Sequence, residues 1–315
     1  MKRKRYFLIV LLMVVVVKPL VGWEGSASAE QEAPAAASCP ATFGPIITDT
    51  AIPIEKGKLA IQPTFSLSFT TDKFNSGWQR VSAGGDFKSF GMSWKFTYGL
   101  INDLEVYTVI PYIHNWAGNV DVPGPNEERS ANSGGLGDIT LTFKYRLVAE
   151  TEALPTVSAI FTPTFPSGHF SDLNPALLGT DRLGHGAYVL TPGLNLSKYV
   201  APFVFYGNFW YSMQTPITDD DGRQYPRDFV TVNLAAEYPF TDKWVACLEL
   251  TSYWDGGRLF GHQANVPSTA LLSLAPEIEY MATDKFSLSL GVNFGLAGKN
   301  TTANISPLFS MIYAY

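Results

Sequence analysis

The chain has 315 residues, of which 14% are aromatic and 16% are charged, and its formal net charge is −6. A negative chain argues against nucleic acid as a partner, because nucleic-acid-binding surfaces are basic. Two cysteines, Cys39 and Cys247, are too few for a disulfide framework, and we expect both thiols to be unpaired and without function.

The N-terminus has the features of a secretory signal peptide. Four basic residues at positions 2–5 precede an unbroken apolar run from Phe7 to Val17, and Ala27-Ser28-Ala29 offers a cleavage site of small residues. The apolar run is shorter than the ~20 residues that a membrane-spanning helix needs. We therefore expect export and cleavage after Ala29. Residues 1–29 carry a net charge of +4, so the mature chain has a net charge of about −10.

Residues 30–57 separate the signal peptide from the first predicted strand. They contain few charges and are rich in Ala, Pro and Ile. Two interpretations are open: the segment either plugs the interior of the domain that follows or remains a periplasmic tail.

One pattern repeats from residue 58 to the end of the chain: apolar and polar residues alternate over about ten positions and a turn follows. Phe286 to Leu296 is the clearest example. Because successive side chains of a strand point to opposite faces, each such segment has one apolar face and one polar face. Twelve strands are predicted, near residues 58–71, 88–100, 103–114, 138–149, 155–165, 186–198, 202–213, 228–240, 243–254, 268–282, 285–297 and 303–315.

The connectors between these strands alternate between short and long. Short connectors near 101–103, 199–201 and 241–243 contrast with long ones such as 115–137 and 166–185. Short periplasmic turns, long outer loops and an even strand count are typical of bacterial outer-membrane barrels. A closed barrel satisfies all its backbone groups in lipid without any spanning helix. We predict an all-β fold: a transmembrane antiparallel up-and-down β-barrel of about 12 strands over residues 58–315, in the outer membrane of a Gram-negative cell.

Aromatic residues flank the short turns, where an amphipathic ring is favoured at the depth of the lipid headgroups. The alternative is ordinary cross-strand aromatic pairing in hairpins. The last strand ends on an aromatic residue, which resembles the C-terminal signal for insertion. The expected partners are therefore the barrel-assembly machinery, outer-membrane lipid and lipopolysaccharide. The predicted girdle residues are Tyr98, Tyr238, Trp244, Tyr280, Phe286, Tyr313 and Tyr315.

Prolines occur inside six of the predicted strands. Each proline removes a ladder hydrogen bond, so we expect these positions to mark bulges or strand ends. They are Pro63, Pro111, Pro163, Pro192, Pro276 and Pro307.

Charged residues in the polar phase are expected to line the lumen. The basic ones lie on the second and fourth predicted strands, and most of the acids lie on the eighth to tenth. This division predicts either a transverse field along a solute pathway or ion pairs that close and stabilise the barrel. Twelve strands lie between barrels filled by side chains and open channels, so the lumen is either a pore or plugged. The residues are Lys95, Glu105, Lys144, Arg146, Glu237, Glu249, Glu277 and Glu279.

We find no catalytic motif. The four histidines lack metal-ligand spacing, and no Gly-x-Ser-x-Gly elbow occurs. We therefore predict no catalytic residues, no metal and no cofactor. A lipid-modifying barrel enzyme that uses His114, His169 and His185 is the least favoured alternative.

Several motifs are similar to those of a known family. Gly134-Gly-Leu-Gly-Asp138 and Pro163-Thr-Phe-Pro-Ser-Gly168 resemble the meta-pathway of phenol degradation (MetA-pathway) transporter family, over roughly residues 90–240. The resemblance implies an outer-membrane channel for small hydrophobic or aromatic compounds. We thus predict a channel or transporter for passive diffusion of small solutes. The alternative is a non-conducting structural or adhesive barrel that acts through its extracellular loops.

Overall fold

The computed structural model describes residues 42–121, 128–219, 222–260 and 264–315. The predicted signal peptide and Cys39 lie outside these residues. Over these four ranges, no helix is long and apolar enough to cross a lipid bilayer. Strands dominate, numbered here in chain order: β1 Leu59–Phe74, β2 Arg80–Val81, β3 Asp86–Ile101, β4 Leu104–Asp121, β5 Glu128–Leu136, β6 Ile139–Val148, β7 Thr156–Phe165, β8 Val189–Val200, β9 Phe203–Gln214, β10 Ile217–Asp219, β11 Gly222–Pro226, β12 Phe229–Pro239, β13 Trp244–Asp255, β14 Arg258–Phe260, β15 Ala264–Val266, β16 Thr269–Thr283, β17 Phe286–Lys299 and β18 Thr301–Ala314.

Twelve of these strands close into an antiparallel barrel. They pair in the order β1, β3, β4, β6, β7, β8, β9, β12, β13, β16, β17 and β18, and β18 pairs with β1. At the seam, Leu59 and Tyr315 exchange two backbone hydrogen bonds, each of 2.9 Å. The predicted up-and-down barrel is confirmed, and closure leaves no strand edge unpaired along the seam.

The outer loops contain more strand than the sequence pattern predicts. The predicted connector 115–137 is wrong in part, because β4 continues to Asp121 and β5 pairs with its second half. Four short strands, β10, β11, β14 and β15, form a separate sheet in the loops around residues 217–266. These segments lack the alternation of apolar and polar residues from which the wall strands were predicted.

The wall has an apolar outside and a polar inside. The side chains of Leu194, Leu234 and Leu290 are exposed, whereas the neighbouring Asn195 and Asn233 are buried. A water-soluble sandwich would show the opposite polarity, because its apolar face would form the core. The exposed apolar face therefore confirms that the alternating pattern describes a barrel in lipid.

All six prolines lie inside strands, and Pro111 has a clear structural reason. β4 changes partner at this point, since Val109 is the last residue that pairs with β6 and Tyr112 begins the pairing with β5. The carbonyl of Pro111 accepts a hydrogen bond of 2.9 Å from the backbone N–H of Gly137. The missing N–H thus falls where the ladder is already interrupted.

Candidate functional site: the barrel lumen

Residues 42–54 contact inward-facing carboxylates of β13 and β16. The backbone N–H of Ile46 donates to Glu277 at 3.2 Å, and that of Ile47 donates to Glu249 at 2.9 Å. The hydroxyl of Thr42 donates to Glu279 at 2.9 Å. Pro45 and Pro53 favour an extended backbone in this segment, which leaves its N–H groups free to donate to the wall.

Amide and hydroxyl side chains of three further wall strands hold the middle of the segment. Asn208 on β9 accepts from the backbone N–H of Asp49 at 2.9 Å and donates to its carbonyl at 2.8 Å. Ser197 on β8 accepts from the N–H of Ala51 at 2.8 Å, and Ser158 on β7 donates to the Ala51 carbonyl. These side chains take the place of a neighbouring strand, so the backbone groups are satisfied without strand pairing.

The carboxylate of Asp49 lies between two lysines. Its Oδ1 is 3.2 Å from Lys95 Nζ, and its Oδ2 is 2.9 Å from Lys144 Nζ. The second carboxylate of the cluster, Glu105, lies 2.9 Å from the same Lys144. Only 1% of the Lys144 side chain and 9% of the Asp49 side chain are exposed. The cluster therefore pairs two cations with two anions in a largely dry environment.

Two uncharged side chains complete the surroundings of Asp49. Asn195 Nδ2 donates to Asp49 Oδ2 at 2.8 Å, and the Tyr107 hydroxyl donates to the same oxygen at 3.3 Å. The four donors come from β3, β4, β6 and β8, so the cluster joins four strands of one wall.

The segment leaves the lumen close to β3. Ile54 N–H donates to Glu105 at 2.7 Å, and Gly57 N–H donates to the Gly99 carbonyl at 2.8 Å. A Cβ atom on Gly99 would lie 2.0 Å from the carbonyl oxygen of Glu55. Only glycine at position 99 therefore permits this close approach.

The predicted lumen charges divide into two groups. Six are buried, whereas Lys95 and Arg146 are partly exposed, and Arg146 pairs with Asp103 at 2.6 Å. Three of the buried acids accept hydrogen bonds from residues 42–48, and the Tyr206 hydroxyl donates to Glu237 at 2.7 Å. The buried residues are Glu105, Lys144, Glu237, Glu249, Glu277 and Glu279.

Sequence reasoning missed Asp49 of the segment and several wall residues that contact the segment. Asp49 is the only charged residue between positions 42 and 54, and this isolation was the available signal. Asn195 and Asn208 occupy the polar phase of their strands, but nothing in the pattern separates them from ordinary lining residues. The missed residues are Asp49, Tyr107, Ser158, Asn195, Ser197 and Asn208.

The predicted girdle residues lie beside the short turns. Tyr98, Tyr238, Trp244, Tyr313 and Tyr315 are all exposed. The rings of Trp244 and Tyr280 are 4.7 Å apart, and Phe286 pairs in register with Tyr313.

A second carboxylate, Asp138, anchors the loop of residues 166–188 at the outer rim. It accepts hydrogen bonds from the backbone N–H of Gly168 at 3.0 Å and of His185 at 2.7 Å, and His185 Nδ1 lies 3.0 Å away. Burial opposes ionisation, but the hydrogen bonds from His185 and Gly168 keep the pKa of Asp138 below its ordinary value. The motifs that carry the family resemblance therefore meet in this anchor.

The anchored loop lies over one side of the barrel mouth. Asn115 Nδ2 donates to the Thr180 carbonyl at 3.0 Å. A cavity of ≈ 270 Å³ lies between this loop and the wall, and Ser68, Ser89 and Asn304 line it together with Asn115 and Thr180. Phe87, Trp116 and Leu178 line it as well, so the cavity presents both polar and apolar side chains.

The histidines contact separate groups. The His114 ring lies 4.3 Å from the Trp116 ring, His185 binds Asp138, and His262 lies outside the described residues. Within the described ranges, no group of three or more His, Cys, Asp or Glu residues is placed to hold a metal ion. Cys247 is free and buried.

Comparison with known proteins supplies the family. No curated protein matches the sequence. A solved COG4313 outer membrane channel from Pseudomonas putida F1 superposes with a TM-score of 0.68 at 16% identity, over 87% of this chain and 100% of that chain. The translocator domain of the autotransporter NalP from Neisseria meningitidis gives a TM-score of 0.47 at 13% identity, over 82% of this chain and 89% of that chain. The family model "Putative MetA-pathway of phenol degradation" matches residues 79–306, and the chain, which folds as an outer-membrane β-barrel, belongs to that family.

Proposed function

We propose that this protein is an outer-membrane channel through which small solutes pass by passive diffusion, and that residues 42–57 form a plug in its lumen. One observation carries the proposal: residues 42–54 bind inward side chains of several strands through hydrogen bonds and ion pairs. A barrel that its own side chains fill has no room for such a segment. Because wall side chains and not strand pairing hold residues 42–54, this part of the plug is able to leave while the wall stays closed.

The solutes we propose are small aromatic or hydrophobic compounds. The support is the name of the family, which refers to phenol degradation, and the name of the Pseudomonas putida barrel, which is an outer membrane channel. The predicted lumen charges then line the pathway once the plug has moved, with Lys95 and Lys144 opposite the acids of β12, β13 and β16.

The proposal includes the route to the membrane. We infer a signal peptide cleaved after Ala29, insertion by the barrel-assembly machinery through β18, and contact of the aromatic girdle with lipid and lipopolysaccharide. The exposed aromatic rings beside the short turns support this placement.

Single-channel conductance in a planar bilayer tests the proposal. We expect the mature protein to give small or infrequent steps, and a variant that lacks residues 30–54 to give larger and frequent ones. A salt gradient then measures selectivity, and the buried acids Glu237, Glu249, Glu277 and Glu279 predict cation preference. A heat-dependent gel shift controls for folding.

Two outcomes would contradict parts of the proposal. Conductance steps of equal size and frequency from both proteins would contradict the proposed plug but would still support the proposed channel. Absence of conductance from both proteins would contradict the proposed channel and favour a non-conducting structural or adhesive barrel. The separate four-stranded sheet of β10, β11, β14 and β15 is the observation that supports this second candidate, because it gives the outer loops a structure of their own.

A further inference from the structure

The surroundings of Asp49 form a carboxylate-binding site that the protein itself occupies. We propose that Lys95, Lys144, Tyr107 and Asn195 bind the carboxylate of an anionic solute, and that Asp49 fills this site when the plug is in place. The inference rests on the proposed plug and narrows the solutes proposed above to one chemical class: small aromatic or hydrophobic compounds that carry a single carboxylate group.

The donors converge as a carboxylate requires. Lys95 reaches one oxygen of Asp49 at 3.2 Å, while Lys144, Asn195 and Tyr107 reach the other at 2.9, 2.8 and 3.3 Å. An ionised carboxylate accepts about four hydrogen bonds, and bonds to charged donors are the stronger ones. All four donors belong to the wall, so the site does not depend on the plug for its construction.

Each donor has a second partner that keeps it in position. The Asn195 Oδ1 accepts hydrogen bonds from Trp210 Nε1 at 2.8 Å and from Asn208 Nδ2 at 3.1 Å, which directs Nδ2 toward the site. Glu105 holds Lys144 at 2.9 Å, and Lys95 Nζ lies 4.1 Å from the centre of the Tyr107 ring. A site organised in advance binds its ligand at a lower entropic cost.

The charge of the site selects an anion. With Asp49 removed, two ammonium groups face one carboxylate, Glu105, and the cluster carries one uncompensated positive charge. A buried charge without a partner is strongly unfavourable, so an anion from solution is the ligand that restores neutrality. Lys95 is 24% exposed, whereas Lys144 is 1% exposed, so a solute reaches the site from the Lys95 side.

Plug and solute therefore compete for the same donors. A group tethered by a short flexible segment acts at an effective concentration on the order of millimolar. Millimolar carboxylate is thus expected to displace the Asp49 side chain from these donors, which weakens one of the several contacts that hold the plug.

Equilibrium dialysis of radiolabelled propionate against the detergent-solubilised mature protein tests the site. The test variant is Asp49→Ala, and propionamide serves as the uncharged ligand of matched size. We expect saturable binding of propionate to Asp49→Ala, binding weaker by on the order of tenfold in the wild type, and no binding of propionamide. Adding Lys95→Met is expected to weaken propionate binding to Asp49→Ala by on the order of tenfold. Lys198→Met is the matched control, because Lys198 contacts Thr151 and Glu150 near a short turn. Adding it to Asp49→Ala is expected to leave propionate binding unchanged.

The measurement separates this site from the channel itself. Asp49→Ala protein that shows the heat-dependent gel shift but binds no propionate, or binds propionamide equally well, would overturn the carboxylate site. Propionate binding that survives Lys95→Met undiminished would overturn it as well. Dialysis measures binding without any ion current. A protein that binds propionate but shows no conductance in a bilayer would therefore support the carboxylate site and contradict the proposed channel.

Discussion

Asp49 in the lumen and Asp138 at the outer rim each hold a non-strand segment against the wall, but their partners differ. The two side chains are similarly buried, with 9% and 7% exposed. Wall side chains, two of them cationic, surround Asp49, whereas Asp138 accepts mainly from the backbone and ring of the loop that it anchors. An anion from solution is able to replace Asp49, because its donors stay on the wall. No solute replaces Asp138, because the carboxylate itself belongs to the wall.

The largest effect is expected for Lys144→Met. This change removes the cation that Asp49 and Glu105 share and leaves two buried carboxylates without their main partner. Such a loss costs about 3–5 kcal/mol of the free energy of unfolding. Urea titration followed by the heat-dependent gel shift measures it.

Arg146→Met is the matched control for that variant. Arg146 pairs with Asp103, but the two side chains are 29% and 46% exposed. An exposed pair contributes about 0–1 kcal/mol, so this variant is expected to unfold close to the wild type. Equal losses from the two variants would show that the lumen cluster is as well solvated as the surface pair.

The wall strands could be predicted from the sequence, whereas the contacts of the plug in the lumen could not. Lipid enforces strict alternation on the wall, and for this reason the twelve strands and the inward phase of Glu249 and Lys144 could be predicted. The plug contacts use backbone N–H groups, which every residue except proline has. A pattern of side chains therefore gives no indication that Ile47 donates to Glu249, 202 residues away.

The rim was predictable to a different degree. The motifs around Asp138 and Gly168 carry the family resemblance, so the sequence marked this region as special. It did not indicate that the two residues bond to each other, because the loop between them has no periodicity to fix its path. The extension of β4 and the strand β5 were missed for the same reason.

Gly99→Ala is expected to have the next largest effect. The added Cβ would lie 2.0 Å from the carbonyl oxygen of Glu55, and hydrogen bonds hold the backbone at both residues. Overpacking of this kind costs about 1–3 kcal/mol, which here weakens docking of the plug. Single-channel recording should therefore show more frequent opening.

Gly207→Ala controls for the loss of a glycine from a wall strand. The nearest atom to its added Cβ would be 3.6 Å away, an ordinary contact distance. We expect its recordings to match the wild type. Unchanged opening of Gly99→Ala would indicate that the plug does not need the close approach at β3.

Glu249→Gln should loosen the plug by a smaller amount. Glu249 accepts from two backbone N–H groups, of Ile47 and Thr48, whereas the described residues supply Glu277 with one backbone N–H, that of Ile46. Loss of the charge weakens each such bond by about 1 kcal/mol. In Glu249→Gln, hydrogen exchange of the Ile47 and Thr48 amides is expected to accelerate. This acceleration should be larger than that of the Ile46 amide in Glu277→Gln. The reverse order would contradict the assigned contacts.

The smallest effect is expected at the rim and depends on pH. The pKa of Asp138 is lowered from 3.8 in the folded protein, so the stability it contributes is fully present above pH 3.8. That stability is lost as the pH falls below 3.8, because protonation weakens the bonds from Gly168 and His185. Hydrogen exchange of these two amides, corrected for the intrinsic effect of pH, should accelerate only in that range. In Asp138→Asn, the free energy of local opening should be lower by about 1 kcal/mol at neutral pH. Exchange of the two amides should therefore already be faster there than in the wild type. Protection in the wild type that falls between pH 7 and pH 5 would require a group other than Asp138 to anchor the loop.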